Sequence, residues 1–187
     1  MKRHSTSIPG VFLIDPVVHG DERGWFSESY REDRFRELGI DKRFVQDNQS
    51  FSGRDVLRGL HYQLGRPQAK LVRVLQGEVF DVAVDIRKGS PSFGRWVGEI
   101  LSGSNRRQMY VPKGFAHGFL VLSETAEFLY KVSDFWVREE ERGIVWNDAT
   151  LGIAWPLTGL TPTVNARDAG YPTLAAAPPK DLPSFAS

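Results

Sequence analysis

Arg58, His61 and Lys70 lie within one short stretch, Val56–Lys70 (VLRGLHYQLGRPQAK), and are residue types that proton chemistry on an anionic substrate would need. An imidazole beside Leu60 and Tyr62 is partly desolvated and must find a partner. It can take a proton near neutral pH, while a guanidinium grips a phosphate and an ammonium stabilises the negative charge left behind. The stretch reads as a strand, a polar Gly/Pro turn and a second strand from Lys70 to Leu75, so one hairpin is expected to carry all three groups. By parity, Arg58 and His61 would face opposite sides of a regular strand. Gly59 between them permits a bulge that would bring both to one pocket.

A lone histidine among apolar neighbours usually reads as a core residue satisfied by one hydrogen bond. His61 is not alone. His117, in PKGFAHG (112–118), brings a second imidazole from a turn into a strand. Asp168, in NARD (165–168), is a candidate partner for one imidazole, where a carboxylate would fix its tautomer and raise its basicity. Tyr130 ends the apolar run FLY (128–130); packing is the common role of such a tyrosine, and proton donation opposite a base is the chemical one. Arg23 adds a second fork suited to phosphate, and Phe135-Trp136 reads as core or as a platform for a flat base. A metal site in a β-barrel would want His-x-His with a carboxylate close by; Tyr62, Gln63 and later Lys70 follow His61 instead, so no metal is expected. No Gly-rich phosphate loop occurs, so no nicotinamide cofactor is expected.

These residues need a scaffold. The chain has 187 residues, enough to bury a core as one domain over 1–187 without staples. Its net charge of +1 gives no global pull toward nucleic acid or a membrane surface. It has no cysteine, which removes disulfides, thiolate nucleophiles and Cys-based zinc sites, and a cytoplasmic home fits that. The apolar run Val11–Ile14 is too short for a signal-peptide core, and no run is long enough to span a bilayer.

Strands are expected at Val11–Ile14, Val17-Val18, Trp25–Tyr30 and Phe44–Ser50, with one short helix over Asp33–Leu38 ended by Gly39. Val79–Ile86 is the clearest strand, with Phe80, Val82, Val84 and Ile86 on its apolar face. Further strands follow at Arg95–Leu101, Gln108–Val111, Gly118–Leu122 and Glu127–Val132. Many short strands between Gly/Pro/Asn turns predict an all-β antiparallel sandwich or barrel. Ala175-Ala176-Ala177-Pro178-Pro179 marks 173–187 as a loosely packed tail.

The stretches FVQDNQS (44–50), VLRGLHYQ (56–63), GEVFDVAVDIR (77–87), PKGFAHGF (112–119) and AEFLYK (126–131) closely resemble the dTDP-4-dehydrorhamnose 3,5-epimerase family, in order and from about Ile8 to Pro172. The resemblance implies a cupin-like jelly-roll barrel with a few short helices, acting as a homodimer without metal or cofactor. It implies a dTDP-sugar substrate, dTDP-4-dehydro-6-deoxy-D-glucose, inverted at carbons 3 and 5 to the L-rhamno ketone. Position by position it makes His61 the base held by Asp168, Lys70 the enolate stabiliser, and Tyr130 the donor to the opposite face. Arg23, Glu28, Gln46, Asn48, Arg58, His117 and Glu141 fall at nucleotide-sugar contact positions, and Phe26 and Trp136 near the thymine. Trp136 stands where a tyrosine is typical, and Arg167, a substrate-binding position, where some members carry lysine. The nearest rival is a monofunctional 3- or 5-epimerase on a related dTDP-keto-sugar, with a 4-keto-hexose ketoisomerase further off. A metal-dependent cupin oxygenase and a non-catalytic sugar-nucleotide binding module are the readings from other classes.

Overall fold

The computed structural model describes residues 1–159 and 161–185. The chain opens with β1 (Lys2–Ser5) and β2 (Phe12–Asp15), followed by a small hairpin of β3 (His19–Asp21) and β4 (Gly24–Phe26). Helix α1 (Glu32–Glu37) precedes β5 (Gln46–Gly53), β6 (Leu57–Gln63), β7 (Lys70–Gln76) and β8 (Glu78–Asp85). Then come β9 (Trp96–Ser102), β10 (Gln108–Val111), β11 (Phe115–Val121) and β12 (Thr125–Val132). Short β13 (Glu141–Gly143) and α2 (Ala166–Ala169) follow. One antiparallel sheet runs β1-β2-β10-β7-β12-β5 and a second runs β13-β6-β11-β8-β9. The two face each other as a cupin-like jelly-roll sandwich, the expected all-β class.

Alternation on the strands fills the space between the sheets. Val72 and Val74 of β7 and Phe128 of β12 meet Val79 and Ala83 of β8 and Phe119 and Val121 of β11. The outer face of the larger sheet, with Ile14, Leu71 and Tyr110, is covered by Phe35 of α1 and by Ile40. The outer face of the smaller sheet carries Phe80, Val82, Val84 and Ile86, which therefore point away from the sandwich interior.

What covers that face differs from expectation. Residues 173–185 do not form a loose tail: Leu174, Ala177 and Leu182 are buried against Val82, Val84 and Ile86. Lys88 Nζ and the backbone of Lys88 also bond the segment, at Pro179 O and Pro183 O. Burying a leucine side chain contributes about 1.5–3 kcal/mol, so apolar residues spaced along an Ala/Pro-rich run hold it down. Residues 186 and 187 lie outside the described residues.

Three further differences matter. β6 and β7 are not a hairpin, since they belong to opposite sheets and the Leu64–Ala69 segment crosses between them. Val17-Val18 forms no strand, and the expected strand Trp25–Tyr30 stops at Phe26. Strands β1, β3 and β13 and helix α2 carry no strong alternation and went unread, although β13 and α2 flank the site.

Candidate active site

A cavity of about 330 Å³ opens between the sheets, and His61, Lys70 and Tyr130 all line it. The crossover is what makes this possible. His61 comes from β6 in the smaller sheet, while Lys70 and Tyr130 come from β7 and β12 in the larger one. Base and acid candidates thus stand on opposite walls.

Arg58 and His61 share this cavity because β6 is bulged. His61 pairs with His117 and Arg58 with Phe119, so three steps along β6 oppose two along β11. Gly59 absorbs the difference at φ +112°, and a Cβ there would lie 2.6 Å from Gly118 Cα. Arg58 Nε donates to Ser52 Oγ at 3.0 Å, which holds the fork against β5.

The same bulge holds the carboxylate that His61 meets. The Gly59 N–H donates to Asp168 Oδ2 at 3.0 Å, and His61 Nε2 lies 2.8 Å from Asp168 Oδ1. Asp168 is fully buried on α2, whose cap residue Asn165 accepts from the Asp168 N–H at 2.7 Å. Burial pushes the Asp168 carboxyl up, but His61, the Gly59 N–H and Arg167 outweigh it and bring it below the usual carboxylate range. A carboxylate there takes the Nε2–H, so Nδ1 of His61 is the nitrogen left to accept a proton. Tyr171 closes the far side of the ring edge-on, with centroids 5.9 Å apart.

Lys70 is buried and its Nζ donates to the His61 carbonyl at 3.2 Å. Burial pulls its ammonium down to about 8, while Asp81 and Glu141 push it back up. Burial raises the Tyr130 phenol, aided by Glu141 and opposed by Arg58, so it remains an acid at neutral pH. His117 places Nε2 3.0 Å from both oxygens of Asp81, and burial lowers its pKa despite that partner.

Polar groups frame the mouth. Gln46 Nε2 donates to Asn48 Oδ1 at 2.8 Å, and the Trp136 N–H donates to Gln46 Oε1 at 3.0 Å. Trp136 Nε1 donates to Glu141 Oε2 at 2.7 Å, and Arg167 forms an ion pair with the other oxygen of Glu141. Phe135 and Trp136 are both about half exposed, so this pair is no core. The indole in place of tyrosine keeps an exposed face, and the arginine in place of lysine reaches Glu141 and Asp168 together.

Three expected contact residues stand apart. Arg23 and Phe26 sit on the β3–β4 hairpin, and Phe26 is 71% exposed. Glu28, beyond that hairpin, pairs with Arg34 at 3.2 Å and Arg31 at 3.6 Å. Conversely Asp81, Ser50, Phe119, Phe128 and Tyr171 belong to the site or its immediate support and were not singled out. Asp81 had a signal: a carboxylate in mid-strand, flanked on its own face by Val79 and Ala83 and on the other by Phe80 and Val82. Among the described residues, no group of three or more His, Asp or Glu side chains is gathered to hold a metal.

With this geometry in place, three comparisons bear on the chain. A family model described as dTDP-4-dehydrorhamnose 3,5-epimerase matches residues 5–176. A dTDP-4-dehydrorhamnose 3,5-epimerase of Pseudomonas aeruginosa is 62% identical over 158 residues, 84% of this chain and 87% of that protein. The crystal structure of a dTDP-6-deoxy-D-glucose-3,5-epimerase from Legionella pneumophila, in complex with dTDP-4-keto-L-rhamnose, superposes with a TM-score of 0.97 at 51% identity, covering 100% of this chain and 99% of that one. A 3′-monoepimerase from Streptomyces bikiniensis, in complex with dTDP-quinovose, reaches 0.91 at 36% identity, over 97% of this chain and 92% of that one.

Proposed function

This chain belongs to the dTDP-4-dehydrorhamnose 3,5-epimerase family, and we propose that it converts dTDP-4-dehydro-6-deoxy-D-glucose to dTDP-4-dehydro-L-rhamnose, acting as one domain without metal or cofactor. The observation that carries this reading is the placement of His61 and Tyr130 on opposite walls, with Lys70 between them.

Both inverted carbons flank the ketone, so each C–H is acidic only if the enolate is stabilised. His61, oriented by Asp168, takes the proton on Nδ1. The electron pair moves onto the ketone oxygen, where the Lys70 ammonium meets it. Tyr130 then delivers a proton to the other face of the carbon, which inverts the centre. No group must swing across the ring, because acid and base belong to different sheets. Arg58 suits the diphosphate and Trp136 the flat thymine. Gln46, Asn48, His117, Glu141 and Arg167 supply polar contacts around the sugar and nucleotide.

A homodimer accounts for the residues that stand apart. The β3–β4 hairpin presents Phe26 and part of Trp25 to solvent beside Arg23, with Arg106 covering one face of the Trp25 ring and nothing packed on Phe26 to bury it in one copy. Seated on a second copy, it would carry Arg23 and Phe26 to that copy's cavity, with Glu28 at its base. No helix among the described residues is long and apolar enough to cross a membrane.

The test is to incubate the protein with the keto-sugar in deuterated water and read the product by NMR. Deuterium at carbons 3 and 5, with reduction to dTDP-L-rhamnose by an added reductase, is expected. Uptake at one carbon would make it a single-centre epimerase, and uptake at neither would overturn the reading.

A further inference from the structure

Asp81 is a buried carboxylate that the reaction above leaves unused. It projects from β8 into the sandwich, while its neighbours Phe80 and Val82 face the C-terminal segment. It is fully buried, and both its oxygens lie 3.0 Å from His117 Nε2. A buried carboxylate needs donors and cations facing it. Here the donor is His117 on β11.

We propose that Asp81 is a positioning residue of this enzyme: it keeps the proton of His117 on Nε2, leaving Nδ1 as an acceptor for a hydroxyl of the substrate sugar. The geometry repeats that of the base. His61 and His117 are direct register partners on adjacent strands, and each places Nε2 on a buried aspartate. The two imidazoles therefore turn the same ring nitrogen toward one cavity.

Burial drives His117 toward its neutral form against the pull of Asp81, and burial prevails. A neutral ring donating through Nε2 has its lone pair on Nδ1. The titratable groups that act on the ring are Asp81 on β8, His61 on β6 and Lys70 on β7.

The role rests on the epimerase reading, so its test has one arm that needs no turnover. In the wild-type protein, 15N NMR of the imidazoles should show His117 as the Nε2–H tautomer at neutral pH. The Nδ1–H tautomer would overturn the proposal, whether or not any variant folds. In Asp81→Ala the preference for Nε2–H should be lost, and Asp81→Glu, which keeps the carboxylate, should retain it. A folded Asp81→Ala in which His117 keeps the Nε2–H tautomer would overturn the proposal, since a merely structural role predicts lower activity with the tautomer unmoved. Failure of the wild type to take up deuterium would instead sink the epimerase reading, so the two failures are told apart.

Discussion

At the scale of single residues, the cavity assigns different work to groups that stand side by side. In the proposed reaction His61 is the base, on a ring held by Asp168, so His61→Asn should lower deuterium uptake at both carbons by about 10²–10⁴-fold, the usual worth of a general base. Uptake surviving at one carbon would mean a second base. Tyr130 lies on the other wall, so Tyr130→Phe should leave washout of the substrate proton measurable while formation of the inverted product falls. An unchanged product ratio would remove the acid role. Lys70, pulled to about 8, must be charged to meet the enolate, so kcat/KM should fall as pH rises through that region. A profile flat to pH 10 would show that the ammonium is not needed. The residue types of this kit were legible from Val56–Lys70 alone. The pairing of His61 with Asp168 was not, because their contact spans 107 positions and only the family resemblance brought them together. Asp81 escaped because its own strand looked one-sided, whereas both faces of β8 are buried.

At the scale of elements, alternation revealed the strands but not their partners. Period-two patterning gives a strand two faces without saying which one turns inward. So β8 read as a strand with an apolar face, while the cover over that face, Leu174, Ala177 and Leu182, was hidden in a run of alanines and prolines. Local turn chemistry joined β6 to β7 as a hairpin, yet the polar Leu64–Ala69 segment is also long enough to change sheets. The bulge at Gly59 was legible, since Arg58 and His61 could share a pocket only if parity broke between them. It also carries weight beyond parity, because its N–H holds Asp168. Gly59→Ala should therefore cost about 1–3 kcal/mol in denaturant unfolding, from the left-handed φ and the clash at Gly118, and activity should fall well beyond the loss of folded protein. A stable and fully active variant would show that the bulge forms without glycine.

At the scale of the whole molecule, one copy gathers His61, Tyr130 and Lys70 but lacks Arg23 and Phe26 in its own cavity. If a second copy lends its hairpin, each site is made by two chains. His61→Asn spoils a cavity and leaves its hairpin sound, while the double variant Arg23→Ala, Phe26→Ala spoils a hairpin and leaves its cavity sound. Unfolding and refolding the two together should yield about half mixed dimers with one sound site each, and so about a quarter of wild-type activity from two inactive parents. No recovery in dimers shown to have mixed would confine each hairpin to its own chain. In a cell the same hairpin would have a genetic consequence: two defective alleles, one damaged in each part, would complement each other within a single gene.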